Sequence, residues 1–145
     1  MITLKAIPKS FFFDRKAVID RVGVAKVKTL SKLGAFVRRA AQTSMRYRKG
    51  KSQPGQPPSA HKETGALLRK LLFFSYDPSS DSVVVGPIAA RRAEAPRLQE
   101  FGGKAKRTRM GVTRTVTYPP RPYMQPALSK SEPRIPKEWT GSVHS

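Results

Sequence analysis

Prolines are frequent along this chain, yet none stands between Pro8 and Pro54. Proline fixes φ and removes a hydrogen-bond donor, so this stretch is where a long uninterrupted helix fits. Asp14 is a good N-cap, and Phe11, Phe12 and Phe13 precede it as candidate staple partners. From Arg15 to about Arg48 apolar residues recur at helical spacing. At roughly 100° per residue, Ile19, Val22, Leu30, Leu33, Val37, Ala40 and Ala41 fall on one broad face. Arg21, Lys28, Lys32, Arg39 and Arg46 fall in a narrow stripe almost opposite. The pattern predicts a long amphipathic helix with one apolar side and one cationic ridge. Gly23 and Gly34 weaken it and mark a bend or a close contact.

Before that helix, Ile2, Leu4 and Ile7 suggest an arm or a short edge strand over residues 1–13, stopped by Pro8. After it, residues 49–62 are rich in proline and glycine and read as a loop or extended arm. Thr64 and Gly65 open a short helix through Leu67, Leu68 and Leu71, which runs into a strand at Leu72 to Tyr76. Asp77 to Asp81 reads as a hairpin turn, and Ser82 to Val85 as the return strand, ended by Gly86 and Pro87. Ala89 to Phe101 reads as a short helix or irregular turn stopped by Gly102 and Gly103. Lys104, Lys106, Arg107 and Arg109 read as a basic loop. Alternation from Val112 to Tyr118 predicts a strand, ended by Pro119 and Pro120. Arg121 to Lys130 reads as a turn followed by a short helix, and the prolines from Ser131 onward predict an extended arm over residues 131–145. The fold class is therefore α+β: a long N-terminal helix on a small antiparallel sheet, in one domain over residues 14–130.

Charge narrows the partners. Twenty-nine Lys and Arg stand against nine Asp and Glu, a formal charge of +20. Such self-repulsion is tolerated beside something negative: DNA, RNA, an anionic membrane or an acidic protein. The absence of cysteine excludes disulfides, thiolate metal sites and thiol nucleophiles. The apolar runs are too short to span a bilayer, and the N-terminus lacks a signal-peptide pattern, so a soluble protein made in the cytosol is expected.

Little here recruits catalysis. His61 falls in the proline-rich loop and His144 near the terminus. Asp77 and Asp81 bracket a turn and serve as turn formers. The carboxylates show no metal-like spacing, and the glycines form neither a Walker loop nor a dinucleotide fingerprint. The chain is expected not to be an enzyme and to hold no metal or cofactor. The cationic ridge and the basic loop can both contact phosphates, but no zinc finger, helix-turn-helix signature or RNP-like aromatic motif accompanies them. They face either a nucleic-acid backbone or acidic neighbouring subunits.

Three segments carry a resemblance. The first is Pro54-Gly55-Gln56-Pro57-Pro58 followed by Thr64-Gly65 and Leu67. The second is Val85-Gly86-Pro87, then Leu98-Gln99-Glu100-Phe101-Gly102-Gly103. The third runs from Tyr118-Pro119-Pro120-Arg121-Pro122 through Tyr123-Met124-Gln125-Pro126-Ala127-Leu128. Together they resemble the tail-completion, or head–tail joining, proteins of tailed phages and prophages, the group of minor tail protein Z-like proteins. The resemblance covers roughly residues 10 to 130, and its third segment is the most specific. Gly103 stands where members often have Thr or Ser, and Tyr123 where they often have Phe.

The resemblance implies a structural virion protein that completes the tail and joins it to the head. It implies a cyclic homo-oligomer, expected to be a hexamer, whose neighbours are the head-closure protein, the tail terminator or the tail tube. Genomic DNA in the channel is a further expected partner; a membrane is not. A tail-terminator or head-closure ring, and a non-specific nucleic-acid-binding protein, are the alternatives. The motif residues are Glu100, Phe101, Gly102, Arg121, Pro122 and Pro126. Bottom-up, Pro122 and Pro126 fix a chain reversal that lets Tyr123, Met124 and Leu128 pack back on the sheet. Glu100 can accept backbone N–H bonds beside the Gly-Gly turn or pair with Arg121, and the pairing of the motifs points to the Glu100–Arg121 pair. In the ring, the proline-rich loop and the C-terminal arm are expected to reach neighbouring subunits.

Overall fold

The computed structural model describes residues 14–60, 65–88 and 94–142. The N-terminal arm or edge strand, with Phe11 to Phe13, lies outside the described residues, as do Thr64, His61 and His144. The long helix α1 spans Arg15–Ser44, and the Asp14 carboxylate accepts from the Ala17 N–H at 3.0 Å. At 1.5 Å per residue it is about 45 Å long. From Thr29 onward it is built into the core, where Thr29, Leu33, Gly34, Val37 and Ala41 are buried. The same apolar face continues forward as Val18, Ile19 and Val22, which are exposed. The helix stops short of Arg48 because Met45 turns inward and becomes one of the largest fully buried side chains.

Helix α2 (Gly65–Leu71) passes directly into β1 (Leu72–Asp77), which pairs antiparallel with β2 (Ser82–Pro87). Two side chains of α1 hold this junction: Arg38 Nε donates to the Leu72 carbonyl and Gln42 Nε2 to the Arg69 carbonyl. In the register Phe74 faces Val85 and Tyr76 faces Val83, so these side chains share the face toward α1. Gly34 sits under them. A Cβ built there lies 2.6 Å from Val83 Cγ2 and 3.0 Å from Phe74 Cδ2. Of the two readings of Gly34, the close contact is the one observed. The hairpin turn closes through Asp77, which accepts from the Ser79 and Ser80 hydroxyls. Those bonds hold its carboxyl down at about 2, and so it stays charged through the usual carboxylate range. Lys26 reaches from α1 to Asp81 at the same turn.

Helix α3 (Glu94–Phe101) follows, then β3 (Gly103–Arg109) and β4 (Val112–Tyr118), which pair only with each other. Among the described residues the sheet is thus two separate two-stranded hairpins rather than one sheet. Helix α4 (Met124–Ser131) packs against α1. A 3₁₀ turn (Glu132–Arg134) and α5 (Ile135–Trp139) complete the described chain. The core is one cluster of Val37, Ala41, Met45, Leu72, Tyr123 and Ala127.

Two sequence expectations are corrected, and a third is borne out with one addition. The basic run at Lys104, Lys106, Arg107 and Arg109 is a strand and not a loop. It escapes the alternation test because both of its faces are solvent-exposed beyond Ala105. The segment from Ser131 to Trp139 is helical and docks on α1 rather than extending as an arm. Its prolines lie in first turns, where the missing N–H has no intrahelical partner to lose. Arg134 stacks over Phe36 of α1 at 5.0 Å, and Lys32 pairs with Glu138. Residues 49–60 do form a loop, but it is tied to its own body: Ala60 N donates to the Arg46 carbonyl at 2.9 Å, and Ser52, Ser59 and Ala60 are buried.

The two helix glycines give opposite predictions. Gly23 has open space around it, so Gly23→Ala gains helix propensity and stabilises by about 0.5–1 kcal/mol. Gly34→Ala gains the same propensity but pushes into Val83, and it destabilises by about 1–2 kcal/mol net. Urea unfolding of both variants checks the signs.

Candidate functional site

The first four N–H groups of an α-helix have no partner within the helix. At the start of α4 those groups belong to Tyr123, Met124, Gln125 and residue 126. Glu100, at the end of α3, takes the first three. Its Oε2 accepts from Tyr123 N at 2.8 Å and Met124 N at 3.0 Å, and its Oε1 accepts from Gln125 N at 3.0 Å. Pro126 has no N–H to satisfy. The helix start is therefore fully accounted for by one carboxylate and one proline. The negative charge also sits at the positive end of the helix dipole. Glu100 is only 8% exposed, so these bonds are sheltered from water.

Arg121 does not pair with Glu100. Its Nε donates to the Ser52 carbonyl at 3.1 Å, and its backbone N–H donates to the Gln99 carbonyl at 2.6 Å. The alternative, backbone N–H bonds to Glu100, is the arrangement found. The three helix-start N–H groups outcompete the guanidinium because they converge on both carboxylate oxygens. Gly102 makes the tight passage between α3 and β3 with φ +71°. A Cβ there would lie 2.8 Å from the Tyr118 carbonyl oxygen and 2.9 Å from Pro120 N. Gly55 N donates to the Pro120 carbonyl at 2.8 Å. The segments around Gly55, around Glu100 and around Arg121 are thus hydrogen-bonded to one another.

Tyr123 is buried beneath this node, and burial, with the Glu100 charge adding, pushes its phenol up to about 12. Met124 packs against the core, whereas Leu128 is exposed. An apolar groove of about 630 Å³ opens beside the node, walled by Leu33, Val85, Tyr123, Ile135 and Trp139. Phe101 stands at its edge and is largely exposed.

Two exposed groups of cations stand out. Arg21, Lys28, Lys32 and Arg39 lie on the exposed side of α1 as expected. Arg46 leaves the ridge because the helix has already ended. Lys32 is engaged by Glu138 and by the face of Phe36. The second group is the β3–β4 ribbon, where every residue from Lys106 to Thr115 is exposed. Its register sets Arg107 directly opposite Arg114. Like charges so placed repel by a few tenths to about 1 kcal/mol. Arg114 was missed as a site residue because a strand partner is needed to reveal it. The turn residues Met110 and Gly111, both with positive φ, are not a familiar hairpin signature.

Among the described residues no group of His, Asp and Glu is placed to hold a metal, and no helix is long and apolar enough to cross a membrane. Comparisons with protein-family models, with curated proteins and with solved structures gave no match.

Removing the Glu100 carboxylate strands three N–H groups at a buried helix start. Glu100→Ala should destabilise by about 3 kcal/mol, with Glu100→Gln intermediate and Arg121→Ala milder than both. Denaturant unfolding of the three variants gives the order.

Proposed function

We propose that this chain is a structural subunit of a tailed-phage particle that completes the tail and joins it to the head as part of a ring. The observation that carries the reading is that the resembling segments are mutually bonded. Gly55 of the first meets Pro120 of the third, and Gln99 and Glu100 of the second meet Arg121 to Gln125 of the third. Residues far apart in sequence form one bonded unit, which supports reading them as one motif. In this reading the motif is fold-forming, and the chain works by assembly rather than catalysis.

Surface features support an assembling part. The forward half of α1 stands clear of the core with Val18, Ile19 and Val22 exposed in a row. An apolar stripe continuous with the buried one is what a neighbouring subunit would cover. Phe101 and the apolar groove offer a second contact of different shape. Two unlike patches on one subunit favour head-to-tail association, which closes into rings. The sixfold number is inferred from tail symmetry. The neighbours proposed are the head-closure protein and the tail terminator or tube, with the virion as location.

Lysates of the phage lacking this gene, viewed by electron microscopy and titred, test the role. Separate DNA-filled heads and tails, or tails with faulty ends, are expected. Complete and infectious particles would contradict it. Exposed cations on the last turns of α1 and just past its end give a finer prediction: Arg39→Glu combined with Arg46→Glu should leave the fold intact but cut the yield of infectious particles by about tenfold or more, by loss of attraction to an acidic neighbour or to DNA. Plaque titre with circular dichroism of the purified variant measures both halves.

A further inference from the structure

The β3–β4 ribbon keeps a repulsive pair on a marginal element. Two-stranded hairpins are scarcely stable alone in water, and like charges directly opposite weaken them further. Arg107 and Arg114 are directly opposite, with Arg109 one step along the same face beside Val112. The other face carries Lys104 and Lys106 with a row of threonines, Thr108, Thr113, Thr115 and Thr117. Between Gly103 and Tyr118 there are five cations and no carboxylate. Among the described residues none of the five enters an ion pair.

These features call for an anion that is repeated along a line and reaches both faces. We propose that the ribbon is a duplex-DNA contact that grips phosphates through Lys104, Lys106, Arg107, Arg109 and Arg114 without reading sequence. A two-stranded ribbon fits the major groove of B-DNA, whose walls present phosphates on either side. Arginine and threonine are both good phosphate donors. The ribbon offers no aromatic platform before Tyr118 at its base, which disfavours stacking on single strands. Its exposed large apolar groups are two, Met110 and Val112 at the tip, unlike the anchored centre of a protein interface. The inference goes beyond the joining role and stands on the ribbon alone, so a failure in the lysate experiment leaves it intact.

The test is fluorescence anisotropy of the full chain with two unrelated 20-base-pair duplexes between 50 and 200 mM salt. Both should bind alike. If all five cations meet phosphates, log affinity should fall against log salt with a slope of about −4.5. Arg107→Thr with Arg114→Thr keeps strand propensity and removes the repulsion, so the melting temperature should hold or rise. That variant should lose about tenfold or more in affinity, and its slope should flatten by about 2. Arg107→Glu is a second route: it forms a favourable pair with Arg114, keeps the hairpin and weakens binding as well. Arg21→Thr with Lys28→Thr removes the same charge from α1 and should change affinity by no more than about threefold. Equal losses from the α1 and ribbon variants would overturn the proposal. So would an absence of binding at 50 mM salt, or displacement of the duplex by polyglutamate of matched charge, which points to an acidic protein surface.

Discussion

One carboxylate, Glu100, joins the end of α3 to the start of α4 by accepting three backbone N–H groups. Much of the body depends on that contact. It fixes where α4 begins, and α4 delivers Tyr123 and Ala127 to the core against Val37 and Ala41 of α1. The reversal before it is held by Arg121, whose backbone and side chain bond to Gln99 and Ser52. The proline-rich loop is in turn fastened to Pro120. A chain with so few large apolar residues inside cannot rely on core volume alone. Buried, charge-assisted bonds to the backbone supply the precision that a larger core would otherwise give.

The rest of the molecule follows from keeping charge outside a small core. Many of the cations occupy the exposed side of α1 and the β3–β4 ribbon, outside the cluster around Tyr123. The features that project, the forward half of α1 and the ribbon, combine unpartnered apolar or cationic surface with little internal support. These are the surfaces that the proposed ring position uses.

The sequence made α1 legible because its apolar residues have a buried face to record and its cap is a local signal at Asp14. The first hairpin was legible for the same reason, since Phe74 and Val85 face the helix. Strand β3 was not, because a strand exposed on both faces has no periodicity to show; only its pairing with β4 defines it. The last helices were hidden by Pro133 and Pro136, which read as breakers although first-turn positions tolerate them. At the motif, sequence alone offered both an Arg121 partner and backbone donors for Glu100. The choice depends on the direction in which α4 enters, which is a tertiary fact. Arg114 became a site residue only through register.

Hydrogen exchange followed residue by residue is the most direct test of the Glu100 node. The amides of Tyr123, Met124 and Gln125 should exchange as slowly as those of Val37 to Ala41 in the buried part of α1, because their carboxylate acceptor is buried and shared. Exchange as fast as that of an ordinary frayed helix start would contradict the account, since α4 would then begin without the contact on which the core is built.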